Sequence, residues 1–191
     1  MQEDDQDAAD AALVLAGDLN AFEGIVRRWQ QRLVTLAWRF CRDRTLAEDM
    51  AQEAFFKAFR SLSAYRGEAA FSTWLTAIAL NSYRSRLRAE GPSLLSLDPA
   101  RTFSMEGGAL GSLIRSEGAE AVRKAVLTLP TRYREAIVVF YFQEKSVAET
   151  ATVLGIAEGT LKARLHRGRE LLRHKCINLK SYRAMGNKEE Q

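Results

Sequence analysis

Between residues 91 and 118 the helical rhythm of this chain breaks off. Gly91, Pro92, Pro99, Gly107, Gly108, Gly111 and Gly118 crowd into that stretch, with Ser93, Ser96, Ser104 and Ser112 between them. Such a composition makes a flexible connector and resists a packed core. Any fold must therefore be assembled from what lies on either side. The 191 residues are 47% hydrophobic and 27% charged, enough to bury a core in each flanking module. Both modules read as helical. Period-two alternation is almost absent, and there is no Asn-Gly or Asp-Gly hairpin turn. Apolar residues instead recur at three and four: Leu33, Leu36, Ala37 and Phe40, then Met50/Ala51, Ala54/Phe55, Ala58/Phe59 and Leu62. In the second module Val122, Ala125, Val126 and Leu129 lead to Pro130, a good first residue for a further helix. The expected fold class is all-α: two small helical domains joined by a flexible linker. The expected boundaries are an acidic segment over 1–19, a first domain over 20–90, the linker over 91–118, a second domain over 119–178 and a tail over 179–191.

Charge is arranged in blocks. Residues 1–24 hold seven acids and no Lys or Arg, residues 25–90 carry a net +6, and residues 119–191 another +6. Two basic modules suit a polyanion, although two solvated helical surfaces would show the same charge. The acidic start is most simply a frayed, solvated segment; the alternative is that it shields the basic modules. No apolar run approaches the ~20 residues of a membrane span, and Met1-Gln2-Glu3-Asp4-Asp5 lacks the basic flank of a secretory signal. Cys41 and Cys176 stand far apart, without a Cys-x-x-Cys spacing. A disulfide scaffold and a zinc ribbon are excluded, and a reducing cytoplasm is the expected location.

Three surfaces carry chemistry. On the helix expected over 46–62, Asp49, Gln52, Glu53 and Phe56 share the face opposite the apolar stripe. This acid-amide-acid cluster beside a Phe suits protein docking, or is an ordinary solvated face. On a helical wheel from Phe71, residues Phe71, Leu75, Ile78, Ala79 and Ser82 turn inward. Thr73, Trp74, Ala77, Asn81, Arg84 and Arg88 gather on the other side, after a loop bearing Tyr65, Arg66 and Gly67. Aromatic, amide and guanidinium groups on one stripe suit single-stranded nucleic acid: stacking returns about 1–3 kcal/mol per unstacked base while Arg meets phosphate. The bland reading makes Trp74 a core residue. In the second module Ser146-Val147-Ala148-Glu149 is a capping box. Val147, Ala151 and Leu154 would face inward, Gly155 supplies a turn, and Glu158-Gly159-Thr160 restarts a helix that Thr160 could cap. This is helix-turn-helix spacing. Its second helix buries Leu161, Leu165, Gly168 and Leu172 and presents Lys162, Ala163, His166 and Arg167, with Arg164 on the flank. A basic helix of this kind fits the DNA major groove.

The string Ala47-Glu48-Asp49-Met50-Ala51-Gln52-Glu53-Ala54-Phe55 resembles the core-binding motif of bacterial RNA polymerase sigma factors. Tyr65-Arg66-Gly67, Phe71-Ser72-Thr73-Trp74-Leu75 and Ile78-Ala79-x-Asn81 resemble the family's promoter-melting segment. Leu129-Pro130 with Arg134, then Gly155-Ile156-x-x-Gly159-Thr160-Leu161-Lys162-x-Arg164 and Arg167-Gly168-Arg169, resemble its minus-thirty-five-reading domain. The short linker points to the extracytoplasmic-function (ECF) group. The resemblance implies that Asp49, Gln52, Glu53 and Phe56 dock on the clamp helices of the largest polymerase subunit, with a further contact to the flap. It implies minus-ten DNA contacts from Tyr65, Arg66, Phe71, Thr73, Trp74, Asn81, Arg84 and Arg88. Minus-thirty-five contacts would come from Thr160, Lys162, Ala163, Arg164, His166 and Arg167. An anti-sigma factor, often membrane-anchored, is the implied inhibitor, with no membrane insertion of this chain itself. Ser85 stands where relatives often carry an acid, which leaves the minus-ten preference open, and Thr150 stands where they carry a larger apolar residue. No cofactor, metal or catalytic role is implied: His174-Lys175-Cys176 is too sparse for a structural zinc site, and neither a P-loop nor a dinucleotide fingerprint is present. A stand-alone helix-turn-helix regulator is the alternative, and a nucleic-acid enzyme a third, disfavoured by the lack of clustered catalytic acids.

Overall fold

A computed structural model describes residues 2–90, 122 and 125–186. Every regular element among them is helical, and they divide into two compact units, Met1–Thr102 and Phe103–Gln191. The 91–118 linker lies outside the described residues.

The first unit is built from four helices: α1 (Gln2–Leu15), α2 (Ala21–Cys41), α3 (Arg44–Arg60) and α4 (Phe71–Glu90). In α2 the residues Ile25, Trp29, Leu33, Leu36, Ala37 and Phe40 recur at helical spacing and are buried as one stripe. The helix stops where Arg42 turns left-handed at φ 57°, its guanidinium 3.9 Å from the Trp38 ring centroid. Asp43 then caps α3, its carboxylate accepting the Leu46 N–H at 2.9 Å. From α3 come Met50, Ala51, Ala54, Phe55 and Ala58, and from α4 Phe71, Leu75, Ala79, Leu80 and Tyr83, all buried. Burial holds the Tyr83 phenol far above its ordinary pKa, and its O–H donates to the Leu33 carbonyl at 3.0 Å, tying α4 to α2. Ile78 is only half-buried, and Phe59 is exposed at the surface, edge-on to Phe22 at 5.1 Å.

The acidic start is not frayed. Residues 2–15 form α1, which buries Asp7, Ala11 and Val14 against the other helices. Asp7 has a fully buried side chain and accepts two hydrogen bonds at 2.7 Å, from Arg28 Nε and Trp29 Nε1. Asp10 takes the other side of the Arg28 guanidinium and the Gln6 amide. Burial works against the charge on Arg28, but the two carboxylates outweigh it and hold its pKa above the ordinary value. Gly24 belongs to this contact: a Cβ there would stand 2.9 Å from Asp10 Oδ2 and 3.2 Å from Arg28 Nη1, so a side chain would displace the groups of this ion pair.

In the second unit a helical turn over 125–127 precedes α5 (Thr131–Ile137), a wide π turn (Val138–Phe142), α6 (Val147–Leu154) and α7 (Glu158–Gly186). Pro130 caps α5 rather than opening it, and its carbonyl accepts from Tyr133 and Arg134 N–H. The core is Ala125, Val126, Leu129, Ala136, Ile137, Val138, Val139, Ala151, Val153, Leu154, Leu161 and Leu165. Gly168 is buried where α7 crosses α5; a Cβ there would lie 3.1 Å from Ile137 Cγ1. The tail expected from 179 continues α7 as far as Gly186. Thr150 is wholly buried, and its Oγ1 has no hydrogen-bond partner.

Two stability predictions follow from these buried groups. Asp7→Ala strands Trp29 Nε1 and uncouples Arg28, and should cost about 2–4 kcal/mol in urea denaturation. Thr150→Val removes a desolvated hydroxyl at nearly constant shape and should stabilise the chain by about 1 kcal/mol in the same measurement.

Candidate nucleic-acid interface

The first candidate surface is assembled where the loop after α3 meets the start of α4. A 3-10 turn over Leu62–Ala64 delivers Tyr65, and Gly67 takes φ +72°, a left-handed conformation that suits a residue without Cβ. The Tyr65 hydroxyl donates to the Ala69 carbonyl at 3.1 Å and closes the loop on itself. Burial raises the pKa of that phenol, and the nearby Asp4 and Asp7 charges raise it further, so the donor keeps its proton. Three rings cluster here: Tyr65 against Phe71 at 5.2 Å, and Trp74 against each of them at 5.3 Å. Trp74 and Tyr65 are half-buried, so each offers part of an aromatic face to solvent while its partners fix its tilt. One face of α4 then continues outward with exposed Asn81, whose Oδ1 accepts from Arg84 at 3.0 Å, and exposed Arg88, which donates to the Arg84 carbonyl at 3.1 Å. Arg66 is exposed in the loop.

Two expected members of this surface are elsewhere. Phe71 is 0% exposed and Thr73 is 1% exposed. Phe71 supports the rings from below, and neither side chain is presented to a ligand. The wheel treats α4 as a lone cylinder, whereas α1 packs against α4, and Ser72, Thr73 and Thr76 are all buried in its first turns. A contact absent from the expectation explains this: the Ser72 N–H donates to Asp4 Oδ1 of α1 at 2.8 Å.

On α3, Asp49 and Gln52 are exposed and Phe56 is 60% exposed, with Glu53 half-buried beside them. All four share one face. Lys57 Nζ donates to Glu53 at 2.5 Å and to Ser82 Oγ of α4 at 3.0 Å. The Lys57 hydrogen bond holds the Glu53 carboxyl below the usual glutamate range. That ion pair is therefore complete above the ordinary glutamate pKa and is lost only as pH falls through the lowered one. Arg60 lies 5.6 Å from the Phe56 ring centroid.

The third surface is the exposed side of α7. The capping box that starts α6 is complete, Glu149 N–H to Ser146 Oγ at 3.2 Å and Ser146 N–H to Glu149 Oε2 at 2.9 Å. Gly155 ends α6 at φ +64°, with nothing within 4 Å of where a Cβ would be, so conformation rather than space selects glycine. α7 starts at Glu158, which puts Thr160 in its first turn, exposed, instead of at its cap. Lys162, Ala163, His166 and Arg167 are exposed and Arg164 is half-buried. Each of the basic exposed residues has an acid one turn away: Lys162 to Glu158 at 3.9 Å, His166 to Glu170 at 3.9 Å, and Arg167 to Glu170 at 2.9 Å. The Arg167 hydrogen bond keeps Glu170 ionised to lower pH than an ordinary glutamate. Such exposed pairs contribute little to stability, and a phosphate or a base edge can displace them. Among the described residues no three His, Cys, Asp or Glu are grouped to hold a metal ion, and no helix is long and apolar enough to cross a membrane. The Cys41 thiol is buried and donates to the Asp43 carbonyl at 3.2 Å.

Residues 25–92 match the family model of sigma-70 region 2, and residues 119–172 that of sigma-70 region 4. The chain is 35% identical over 178 residues to the ECF RNA polymerase sigma factor SigW of Bacillus subtilis, covering 87% of this chain and 94% of the relative. Among solved structures it resembles CnrH in complex with the cytosolic domain of CnrY, at 26% identity and a TM-score of 0.64, over 88% of this chain and 96% of that one. It also shares its fold, at 24% identity and a TM-score of 0.63, with the sigma factor RpoE of Bartonella quintana in complex with the anti-sigma factor NepR, over 81% of this chain and 95% of that one.

Proposed function

Because this chain belongs to the sigma-70 family of RNA polymerase sigma factors, in its ECF group, we propose that it binds core RNA polymerase, brings it to promoters through minus-ten and minus-thirty-five contacts, and helps open the duplex. The observation that carries this reading is a pairing within one chain. A half-buried Trp74 is tilted by Tyr65 and Phe71 on the first unit, and a basic helix follows a fully capped helix-turn on the second. A stand-alone helix-turn-helix regulator has no use for the first of these, and a nucleic-acid enzyme would need chemistry that neither surface supplies.

The roles divide by geometry. Asp49, Gln52, Glu53 and Phe56 form the docking face for the polymerase clamp helices, a ring of polar groups around one exposed aromatic. Tyr65, Arg66, Trp74, Asn81, Arg84 and Arg88 receive the minus-ten strand. Taking a base out of the duplex stack costs a few kcal/mol, which stacking on Trp74 and contacts along α4 offset. Lys162, Arg164, His166 and Arg167, with Ala163 and Thr160 beside them, enter the minus-thirty-five major groove. The chain does this without catalysis of its own and works in the cytoplasm, where polymerase is. An anti-sigma factor, anchored in the membrane, holds it inactive by covering the docking and DNA faces. CnrH and RpoE, each solved with a bound partner, support a regulated state of that kind.

Run-off transcription from a genomic fragment library, with purified core polymerase, tests the proposal. Discrete start sites should appear with the chain and be missing with core alone; no initiation above core alone would overturn it. In the same system Glu53→Lys should weaken core binding at least tenfold with an unchanged circular dichroism spectrum. Arg167→Ala should reduce discrimination between the intact and scrambled minus-thirty-five element by about 1–3 kcal/mol, the worth of a bidentate base contact. Equal loss on both DNAs would show that Arg167 touches only phosphate.

A further inference from the structure

The first turn of α4 lacks a cap in its own chain segment. A helix leaves its first four N–H groups without intrahelical partners, and the residue at the cap position here is Ala70, whose methyl group accepts nothing. Ala69, before it, is no better. The Ser72 N–H, the one a capping side chain would ordinarily take, is bonded instead to the Asp4 carboxylate, 68 positions earlier, at 2.8 Å. A carboxylate also suits the positive end of a helix dipole.

The position of that bond gives it a consequence. Ser72 lies between Phe71 and Trp74, two of the three rings that fix one another around the base-receiving surface. The third ring, Tyr65, is tied by its hydroxyl to the Ala69 carbonyl, at the edge of the same turn. Asp4 itself is held in place, because α1 is locked to α2 one turn further along by Asp7 and Asp10 on Arg28 and Trp29. We propose that Asp4 is a positioning residue for promoter melting: a cap supplied from α1 that sets the first turn of α4 and, through it, the tilt at which Trp74 meets an unstacked base. The acidic N-terminal segment is then part of the DNA-opening apparatus and not a solvated leader. This inference rests on the minus-ten role proposed above for Trp74.

The test uses the full chain with core polymerase and a promoter selected in the run-off screen. Variants are Asp4→Ala, Asp4→Asn, the double variant Asp4→Ala with Ala70→Asp, and Trp74→Ala. Readouts are amide exchange at Ser72, permanganate reactivity of the minus-ten thymines, and affinity for core. Asp4→Ala should expose the Ser72 amide to exchange and lower permanganate reactivity at least fivefold, with core affinity changed less than twofold. Asp4→Asn keeps an acceptor without the charge and should fall between. The double variant, which puts an acceptor at the local cap position, should recover reactivity to within twofold of the parent. If Asp4→Ala opens promoters normally while Trp74→Ala does not, the positioning role is wrong and the minus-ten role stands. If Trp74→Ala also opens promoters normally, the minus-ten role itself fails. A loss in Asp4→Ala that is matched by an equal loss of core affinity, and is not restored by Ala70→Asp, would show general damage to the unit and would also overturn the inference.

Discussion

Arg28 stands between two carboxylates of α1 and, with Trp29, gives that helix a fixed seat on the first unit. Asp7 is buried to the point of having no exposed side chain, so its charge is tolerable only because the Arg28 guanidinium and the Trp29 indole N–H both reach it. A helix this rich in acid has little apolar area with which to hold itself down; Ala11 and Val14 are its buried apolar residues. The polar contacts therefore decide where α1 lies. Their position passes to Asp4, from Asp4 to the Ser72 amide, and from there to the rings around Trp74. The ion pairs around Arg28, one turn along α1 from Asp4, thus bear on the geometry of the first turn of α4.

Ion pairs on α7 work by the opposite logic. Lys162, His166 and Arg167 are each within 4 Å of an acid on the same helix face, but all of these groups are substantially exposed. In high dielectric such pairs contribute little to stability and are screened by salt. They can open without cost to the fold, which a surface meant to meet a polyanion requires. Burial is what separates the two cases: around Arg28 it turns charge into a positional constraint, and on α7 its absence leaves charge available to a partner.

The parts legible in the sequence are those where a local rule and the tertiary environment agree. The Ser146–Glu149 capping box, the left-handed Gly155 and the inward stripe of α7 needed only spacing and residue type. The shared face of Asp49, Gln52, Glu53 and Phe56 on α3 is legible for the same reason, since these residues lie opposite a strong apolar stripe. Where a long-range contact decides, local reasoning went astray. Seven acids without a single base read as a solvated start, because Arg28, the partner that makes Asp7 and Asp10 structural, lies a loop away; the repeat of Asp4, Asp7 and Asp10 at intervals of three is the signal. Thr73 falls on the open side of α4 on a wheel, which cannot show what tertiary packing covers, and it is buried. Thr160 is a capping residue type, but the chain starts α7 two residues earlier, at Glu158, and an acid occupies its first turn.

Under the promoter-reading role proposed for α7, the two glycines of the second unit have separate duties that together set how the helix is offered to DNA. Gly155 is conformational: its left-handed φ ends α6 and turns the chain, and no neighbour crowds it. Gly168 is steric: it lets α7 cross α5 against Ile137 at a distance a methyl group would only just permit. Lys162, His166 and Arg167 share one side of α7 by helical spacing, opposite the buried Leu161, Leu165 and Gly168. Because Glu158 engages Lys162 and Glu170 engages Arg167, DNA that meets those two side chains exchanges one partner for another. The exchange lowers the affinity of the free chain for any duplex, and leaves discrimination to the base contacts that the fixed helix can reach. Weak grip with fixed aim suits a subunit whose hold on DNA comes mainly through the larger enzyme that carries it.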